Sequence, residues 1–358
     1  MTRPLRRRVH FIAGFDPRGV IHYHRLFRDE AAKQSKLNGS TIVTGPRKRL
    51  NSAVHRWDVT AQWPGGAASV DCRFQSWDDI VRVRWQPNRA RCILRYLADF
   101  TRYVFCGAFM KLACCGKGPF YAAVIPLAIC AVPLLLAAVI GLMGGWLAGA
   151  PAAALAVWTS HELSRRFKLV WLVNIYSLCC AWGRAPLPDL EQRLNAMAED
   201  IAEAARADPC DETLVVGHSV GALLAISVMA RLLKQGTPAK LVTLGGCVPF
   251  VGLMPTATHF RRDLAALAAA PELAWLDVAS LSDGLSFARV DPLAVCGITR
   301  SFPRTQRRTL AKFVRMFRPE DYKRIRPDKL RLHFQYLMAA DLATDYDYFR
   351  MVAGSDLL

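Results

Sequence analysis

The sequence predicts an α/β protein: a doubly wound, mostly parallel sheet interrupted by a transmembrane helical hairpin. Three observations lead there. Short apolar, β-branched runs alternate with helical stretches, the pattern of a sheet wound by crossover helices. One such run, Thr213-Leu214-Val215-Val216, enters Gly217-His218-Ser219-Val220-Gly221 and is followed by a helix-forming stretch through Lys234. Between Gly118 and Ser160 there is no Asp, Glu, Lys or Arg, enough length for two spans of about 20 residues and a turn.

Taken in order, residues 9–19 read as a first strand entering a glycine-bearing loop, and residues 20–34 as a helix. Residues 40–43, 52–63 and 68–77 read as two or three further strands separated by polar or Gly/Pro turns. Residues 77–85 fit strand or helix equally. Residues 89–111 mix arginines with aromatics, as a juxtamembrane helix does. The uncharged run reads as a hairpin: a span over 119–140, a tight turn at Gly144-Gly145, and a second span over 146–160. Its prolines and glycines are tolerable where neighbouring helices satisfy the freed backbone groups. A single tilted helix with an interfacial segment, or a buried core hairpin, are the competing readings. Arg102, Lys111 and Lys117 before the run, and Arg165, Arg166 and Lys168 after it, keep both ends on the cytoplasmic side of an inner membrane. Residues 167–182 are apolar but interrupted by Asn174 and Ser177, which suits an interfacial segment or a cap over a site. Residues 186–207 place Leu190, Leu194, Met197, Ile201 and Ala204 along one helical face. Residues 239–246 and 273–280 read as the next parallel strands. The expected division is 1–90 for the first part of the sheet domain, 91–186 for juxtamembrane helix, hairpin (about 118–160) and cap, and 187–358 for the remainder.

The chain has 358 residues and a net charge of +18. A balance this basic calls for an anionic partner. Beside a membrane segment that partner is a phospholipid surface, and no zinc finger, RNA-binding signature or basic zipper points to nucleic acid. The stretch 300–331 interleaves many Lys and Arg with Phe302, Phe313, Met316, Phe317 and Tyr322, which suits an anionic membrane surface. Eleven cysteines in no metal or disulfide spacing fit a reducing compartment. The basic N-terminus precedes too short an apolar stretch for a secretory signal. With neither a metal cluster nor a phosphate-cradling glycine motif, no cofactor is expected.

A serine on a sharp strand-to-helix turn is held in strained geometry, with its hydroxyl above the sheet edge and a helix N-terminus behind it. Gly217 and Gly221 leave room that a Cβ would fill. This segment resembles the nucleophile elbow of the α/β-hydrolase superfamily, and the resemblance covers residues 1–90 and 187–340. Residues 283–293, Asp-Gly-Leu-Ser-Phe-Ala-Arg-Val-Asp-Pro-Leu, are similar to the acid loop of DDHD-type intracellular phospholipases, with Ala288 inserted between Phe287 and Arg289. The superfamily orders its triad Ser, acid, His along the chain. Of the histidines after Ser219, His259 comes too soon for an acid-bearing strand to precede it, which leaves His333 as the base. His218 adjoins the serine and points elsewhere. Among Asp277, Asp283 and Asp291, Asp283 opens the turn at a strand end and is preferred. An oxyanion hole needs two backbone N–H groups, expected from Val220 and from Phe15 in Gly14-Phe15-Asp16. The resemblance implies a serine hydrolase of carboxylic ester or thioester bonds without choosing its substrate; with the uncharged run and the basic stretch beside it, the expectation is a membrane-anchored enzyme acting on a lipid-like substrate. A catalytically silent scaffold of the same shape and an acyltransferase using the same residues are the alternatives.

Overall fold

The structure is a computed structural model and describes residues 3–302 and 306–358. Met1, Thr2 and residues 303–305 of the basic stretch lie outside the described residues. Among the described residues nine strands form one mixed sheet: β1 Leu5–Ile12, β2 Thr41–Thr44, β3 Lys48–Arg49, β4 Val54–Trp63, β5 Gly66–Gln75, β6 Glu212–His218, β7 Lys240–Leu244, β8 Trp275–Ala279 and β9 Gln306–Leu310. Their order is β2-β4-β5-β1-β6-β7-β8-β9, with β3 also on β4. From β5 through β9 along that order every pairing is parallel, whereas β2, β3 and β5 pair antiparallel with β4. The mixed character has a local cause. Trp63 and Gly66 bound a tight turn that can only join antiparallel neighbours, whereas parallel neighbours need a crossover of a dozen residues or more.

The central strand begins earlier than its sequence suggested. Arg7 and Arg8 lie inside β1 and are almost fully buried. Arg7 pairs with Glu212 at 2.5 Å, and Arg8 with Asp71 and Asp208 at 2.9 Å each. Charged residues in a parallel strand are tolerable because each guanidinium is paired, and this is why an apolar pattern did not mark the strand's start. Strand residues alternate between two cores: Val215 packs on one face with the helices Pro188–Ala207 and Val220–Lys234, and Leu214 and Val216 on the other with the helix Gly19–Asn38. Leu190, Leu194, Met197, Ile201 and Ala204 are buried as their spacing required. Residues Asp78–Arg84 are a helix. The expected helix over 89–111 is two, Arg89–Phe105 and Ala108–Cys115, broken at Gly107 with φ 77°.

Lys117–Arg166 is helical except at Gly145, whose φ of 69° and ψ of −172° reverse the chain. A Cβ built on Gly149 would stand 2.9 Å from Gly141 Cα, and Ser160 Oγ donates to the Ile129 carbonyl at 2.9 Å. In a straight helix those two residues would be about 46 Å apart. The element is therefore an antiparallel hairpin turning where Gly144-Gly145 was expected to turn it. Its arms measure about 42 and 31 Å at 1.5 Å per residue, extending past 119–140 and 146–160 at the foot. Toward the tip it presents apolar side chains to the outside: Leu142 is 87% exposed, Met143 85% and Trp146 80%. By length and composition the run is apolar enough to cross a membrane.

The foot, in contrast, is packed. Tyr96 donates its hydroxyl to the Ala123 carbonyl, and a Cβ on Gly118 would meet the Gly284 backbone at 3.2 Å. The following helix, Leu169–Arg184, is buried along most of its length, including Leu172, Val173, Tyr176 and Trp182. The helix is packed into the fold, and its polar Asn174 is satisfied internally by Gln86 and Val170.

Candidate active site

β6 ends at His218, and Ser219 follows with φ 58° and ψ −124° before the helix Val220–Lys234 begins. Positive φ is costly for a residue with a side chain, so the surroundings must impose it. Ser219 N–H donates to the Leu244 carbonyl at the end of β7 at 2.9 Å, and Ser219 C=O accepts from Ala222 N–H at 3.0 Å. Both flanking glycines are sterically required. A Cβ on Gly217 would lie 2.6 Å from Ala222 Cα and 2.7 Å from Ala225 Cβ. One on Gly221 would overlap the carbonyl oxygens of Ile12 and Ala13. The elbow helix thus packs directly on the end of β1.

That contact brings the Gly14–Phe15 loop to the serine. β1 pairs with β6 in a register that sets Ile12 opposite Gly217, and a Cβ on Gly14 would be 3.0 Å from Ser219 Cβ and 3.5 Å from its Oγ. Two indoles hold the loop: Trp77 Nε1 donates to the Ala13 carbonyl at 2.9 Å and Trp171 Nε1 to the Phe15 carbonyl at 3.2 Å. The Phe15 ring is buried against Trp85 and Trp77. Among the described residues neither the Phe15 nor the Val220 N–H has a hydrogen-bond acceptor. Two amides without acceptors, one in the loop after β1 and one at the start of the helix after Ser219, are the kind of donors that oxyanion binding requires. Asp16 takes no part, being held by Arg18 at 2.6 Å and by the Tyr23 hydroxyl at 3.1 Å. Burial would raise its pKa, but the Arg18 hydrogen bonds prevail and lower it.

Asp283 and His333, the expected acid and base, meet across 50 residues. His333 Nδ1–H donates to Asp283 Oδ2 at 2.9 Å, with both side chains 1% exposed. Asp283 Oδ1 accepts the Leu285 N–H at 3.0 Å, so each carboxylate oxygen has one donor. Because Nδ1 carries the proton, Nε2 presents a lone pair, and it has no hydrogen-bond partner among the described residues. His333 is next to the elbow: the His218 and His333 rings stand 5.0 Å apart, and His218 Nε2–H donates to the His333 carbonyl at 2.9 Å. The Ser219 hydroxyl is not hydrogen-bonded to Nε2 in this state, a contact that commonly tightens only when substrate is bound. Trp171 packs edge-on against His333, the ring centroids 5.7 Å apart.

The other candidates are placed elsewhere. Asp277 accepts from Thr243 Oγ1 at 2.6 Å, and burial pushes its pKa up to about 6. Asp291 caps the turn through the Leu293 and Ala294 amides and pairs with Arg300 at 2.6 Å. His259 packs against Trp182. In the basic stretch Phe313, Met316 and Phe317 point into the core, while Lys312, Arg315 and Arg318 are exposed. Tyr322 reaches the acid loop through its hydroxyl, 2.9 Å from Ser282 Oγ. Two site residues were not singled out from sequence. Trp171 lay in an apolar run with no signal of its own. His218 has one, a titratable residue inside the elbow, but its place beside the serine in the turn argues against it as the base. No family model, no curated protein and no solved structure matches the chain.

Proposed function

We propose that the chain is a membrane-anchored serine hydrolase that cleaves a carboxylic ester or thioester bond of a lipid-like substrate, with an α/β-hydrolase arrangement of its sheet. The observation that carries the reading is the Asp283–His333 pair, 2.9 Å and buried, whose Nε2 has no partner among the described residues and whose ring stands 5.0 Å from that of His218, the neighbour of a serine held at φ 58°. In the reaction Ser219 Oγ attacks the acyl carbonyl while His333 Nε2 takes its proton, and Asp283 fixes the tautomer and stabilises the imidazolium. The Phe15 and Val220 amides receive the charge that develops on the carbonyl oxygen. His333 then protonates the departing alkoxide or thiolate, and a water activated by the same nitrogen releases the acyl group.

The lipid-like substrate is supported by the hairpin, whose apolar tip is exposed and whose foot abuts the acid loop at Gly284. Exposed Lys and Arg around the Tyr322 contact suit an anionic surface, and the basic residues flanking the hairpin favour the cytoplasmic face of an inner membrane. A fluorophosphonate probe is expected to label the full-length protein at Ser219, and Ser219→Ala is expected to abolish both labelling and ester hydrolysis. A folded wild-type protein that no such probe labels would dispose of the enzymatic reading and leave the silent scaffold.

A further inference from the structure

We infer that His218 is a positioning residue that clamps the general base to the nucleophile elbow, by capping the end of the helix that carries His333. This deepens the reading of Ser219 and His333 as nucleophile and base and rests on it. His333 belongs to the short helix Lys329–Phe334. The last carbonyls of any helix have no partner within it, and the His333 carbonyl is one of these. Its acceptor capacity is met by His218 Nε2–H at 2.9 Å, from the residue covalently attached to Ser219. One side chain thereby fixes two elements that are 115 residues apart in sequence and have no strand pairing between them.

The surroundings keep this donor in one form. His218 is 1% exposed, with its ring against those of His333, Phe334 and Tyr336 at 5.0, 5.3 and 6.1 Å. Burial, reinforced by the neighbouring His333, pushes its pKa down to about 3, so near pH 7 it is neutral. Because the carbonyl can only accept, the proton sits on Nε2. Neutrality serves the reaction too. A cation 5 Å from His333 would oppose the imidazolium that forms when Ser219 loses its proton. Arginine or lysine could supply the same hydrogen bond but would bring that charge, whereas neutral histidine supplies the donor alone.

The test uses the full-length protein with a fluorophosphonate probe, comparing His218→Phe, which keeps a ring without a donor, with His218→Gln, which restores an N–H. The maximal labelling rate at saturating probe is expected to fall at least about tenfold with phenylalanine, the effect of a misplaced general base. The half-saturating concentration should stay put, and glutamine should recover most of the loss. Phenylalanine labelling at the wild-type rate, or glutamine as slow as phenylalanine at equal melting temperature, would overturn the inference. A second readout needs no activity: the hydrogen-bonded His333 Nδ1–H proton resonance, assigned by its loss in Asp283→Ala, should weaken or shift in His218→Phe and return in His218→Gln. If that resonance responds while the wild type is never labelled, the clamp stands and the hydrolase reading falls. An unchanged resonance sinks the clamp.

Discussion

Replacing Asp283 with asparagine tests the site at its most constrained point, because both carboxylate oxygens are already committed. Oδ1 takes the Leu285 N–H at 3.0 Å and Oδ2 takes His333 Nδ1–H at 2.9 Å. The amide has one acceptor to offer two donors. If its oxygen stays on Leu285, its NH2 faces His333 Nδ1, which must then accept, and the imidazole proton moves to Nε2. A base with that tautomer cannot take the serine proton, and the loss is on the order of 10⁴-fold, about 5.5 kcal/mol. If the amide flips, the tautomer survives but the NH2 is set against the Leu285 N–H. An unmet buried donor costs about 1–3 kcal/mol of stability, and the neutral amide no longer offsets the charge of the imidazolium, so labelling slows in this arm as well. The assay is the labelling rate and the hydrolysis of a short-chain aryl ester at pH 7–8. Asp277→Asn and Asp291→Asn serve as controls and should stay within about threefold, since those carboxylates serve Thr243 and a turn paired to Arg300. An Asp283→Asn protein as fast as its controls would refute the assignment of acid and base together.

Three further outcomes follow from the same geometry. Gly221→Ala places a methyl on the Ile12 and Ala13 carbonyl oxygens, backbone that cannot rotate aside; a loss of about 1–3 kcal/mol, read as a melting temperature several degrees lower, should accompany slower labelling, and a variant unchanged in both would contradict the packing. His218 is held neutral with its pKa down to about 3, and the buried His10 is lowered well below its ordinary value, by burial first and by Arg73 and Arg8 next. The unfolded chain therefore binds more protons below pH 6.5, and stability should fall with acidification from that point, by at most about 1.4 kcal/mol per pH unit for each histidine. Asp277, raised to about 6, acts in the opposite sense, since its stabilisation is present below its ordinary pKa of 3.8 and lost as pH rises through about 6; urea midpoints between pH 7 and 5 should fall more steeply in Asp277→Asn and less steeply in His218→Gln. For the hairpin, an impermeant maleimide applied to sealed vesicles of defined orientation, with the modified peptides read by mass spectrometry, should reach Met143→Cys at the tip from one side and the exposed Cys114 before the foot from the other. Labelling of both from the same side would remove the membrane span.

The legible features were those set by short-range sterics. The elbow could be read because strand, two glycines, serine and helix are adjacent, and each glycine proves to sit where a methyl has no space. The hairpin turn was legible because only glycine adopts the backbone of Gly145 at low cost. What escaped had no local signature. Arg7 and Arg8 disguised the start of β1, since their partners are Asp71, Asp208 and Glu212, far along the chain. β9 went unread because its residues Arg307, Arg308 and Thr309 are exposed, so it lacks an apolar face to betray it. Trp171 looked like one more apolar residue, and only the position of the Phe15 carbonyl gives its indole N–H a role.

The placement of the hairpin within the sheet order bears on how the site meets a substrate. The insertion leaves the sheet after β5 and returns at β6, the two strands that flank β1. Since β1 leads to Gly14 and Phe15 and β6 to Ser219, the inserted segment is tethered beside the strands that supply the candidate oxyanion loop and nucleophile. Its own contacts complete the circle: Gly118 at the start of the first arm rests on Gly284, next to Asp283, and Trp171, just beyond the second arm, touches both the Phe15 carbonyl and the His333 ring. Both feet of the hairpin thus end on the candidate machinery. On the proposed reading, seating the hairpin in a bilayer fixes the distance between scissile bond and membrane surface to within the thickness of one packed cap. An acyl ester lying at headgroup depth would reach Ser219 across that cap, whereas a substrate free in solution would gain nothing from the anchor. Tethering the sheet domain by a foreign helix joined through a long flexible linker, with the feet otherwise retained, should then leave hydrolysis of a soluble short-chain ester intact and lower hydrolysis of a vesicle-borne one; equal loss on both substrates, or on neither, would show that the hairpin's seat has no part in presenting the substrate.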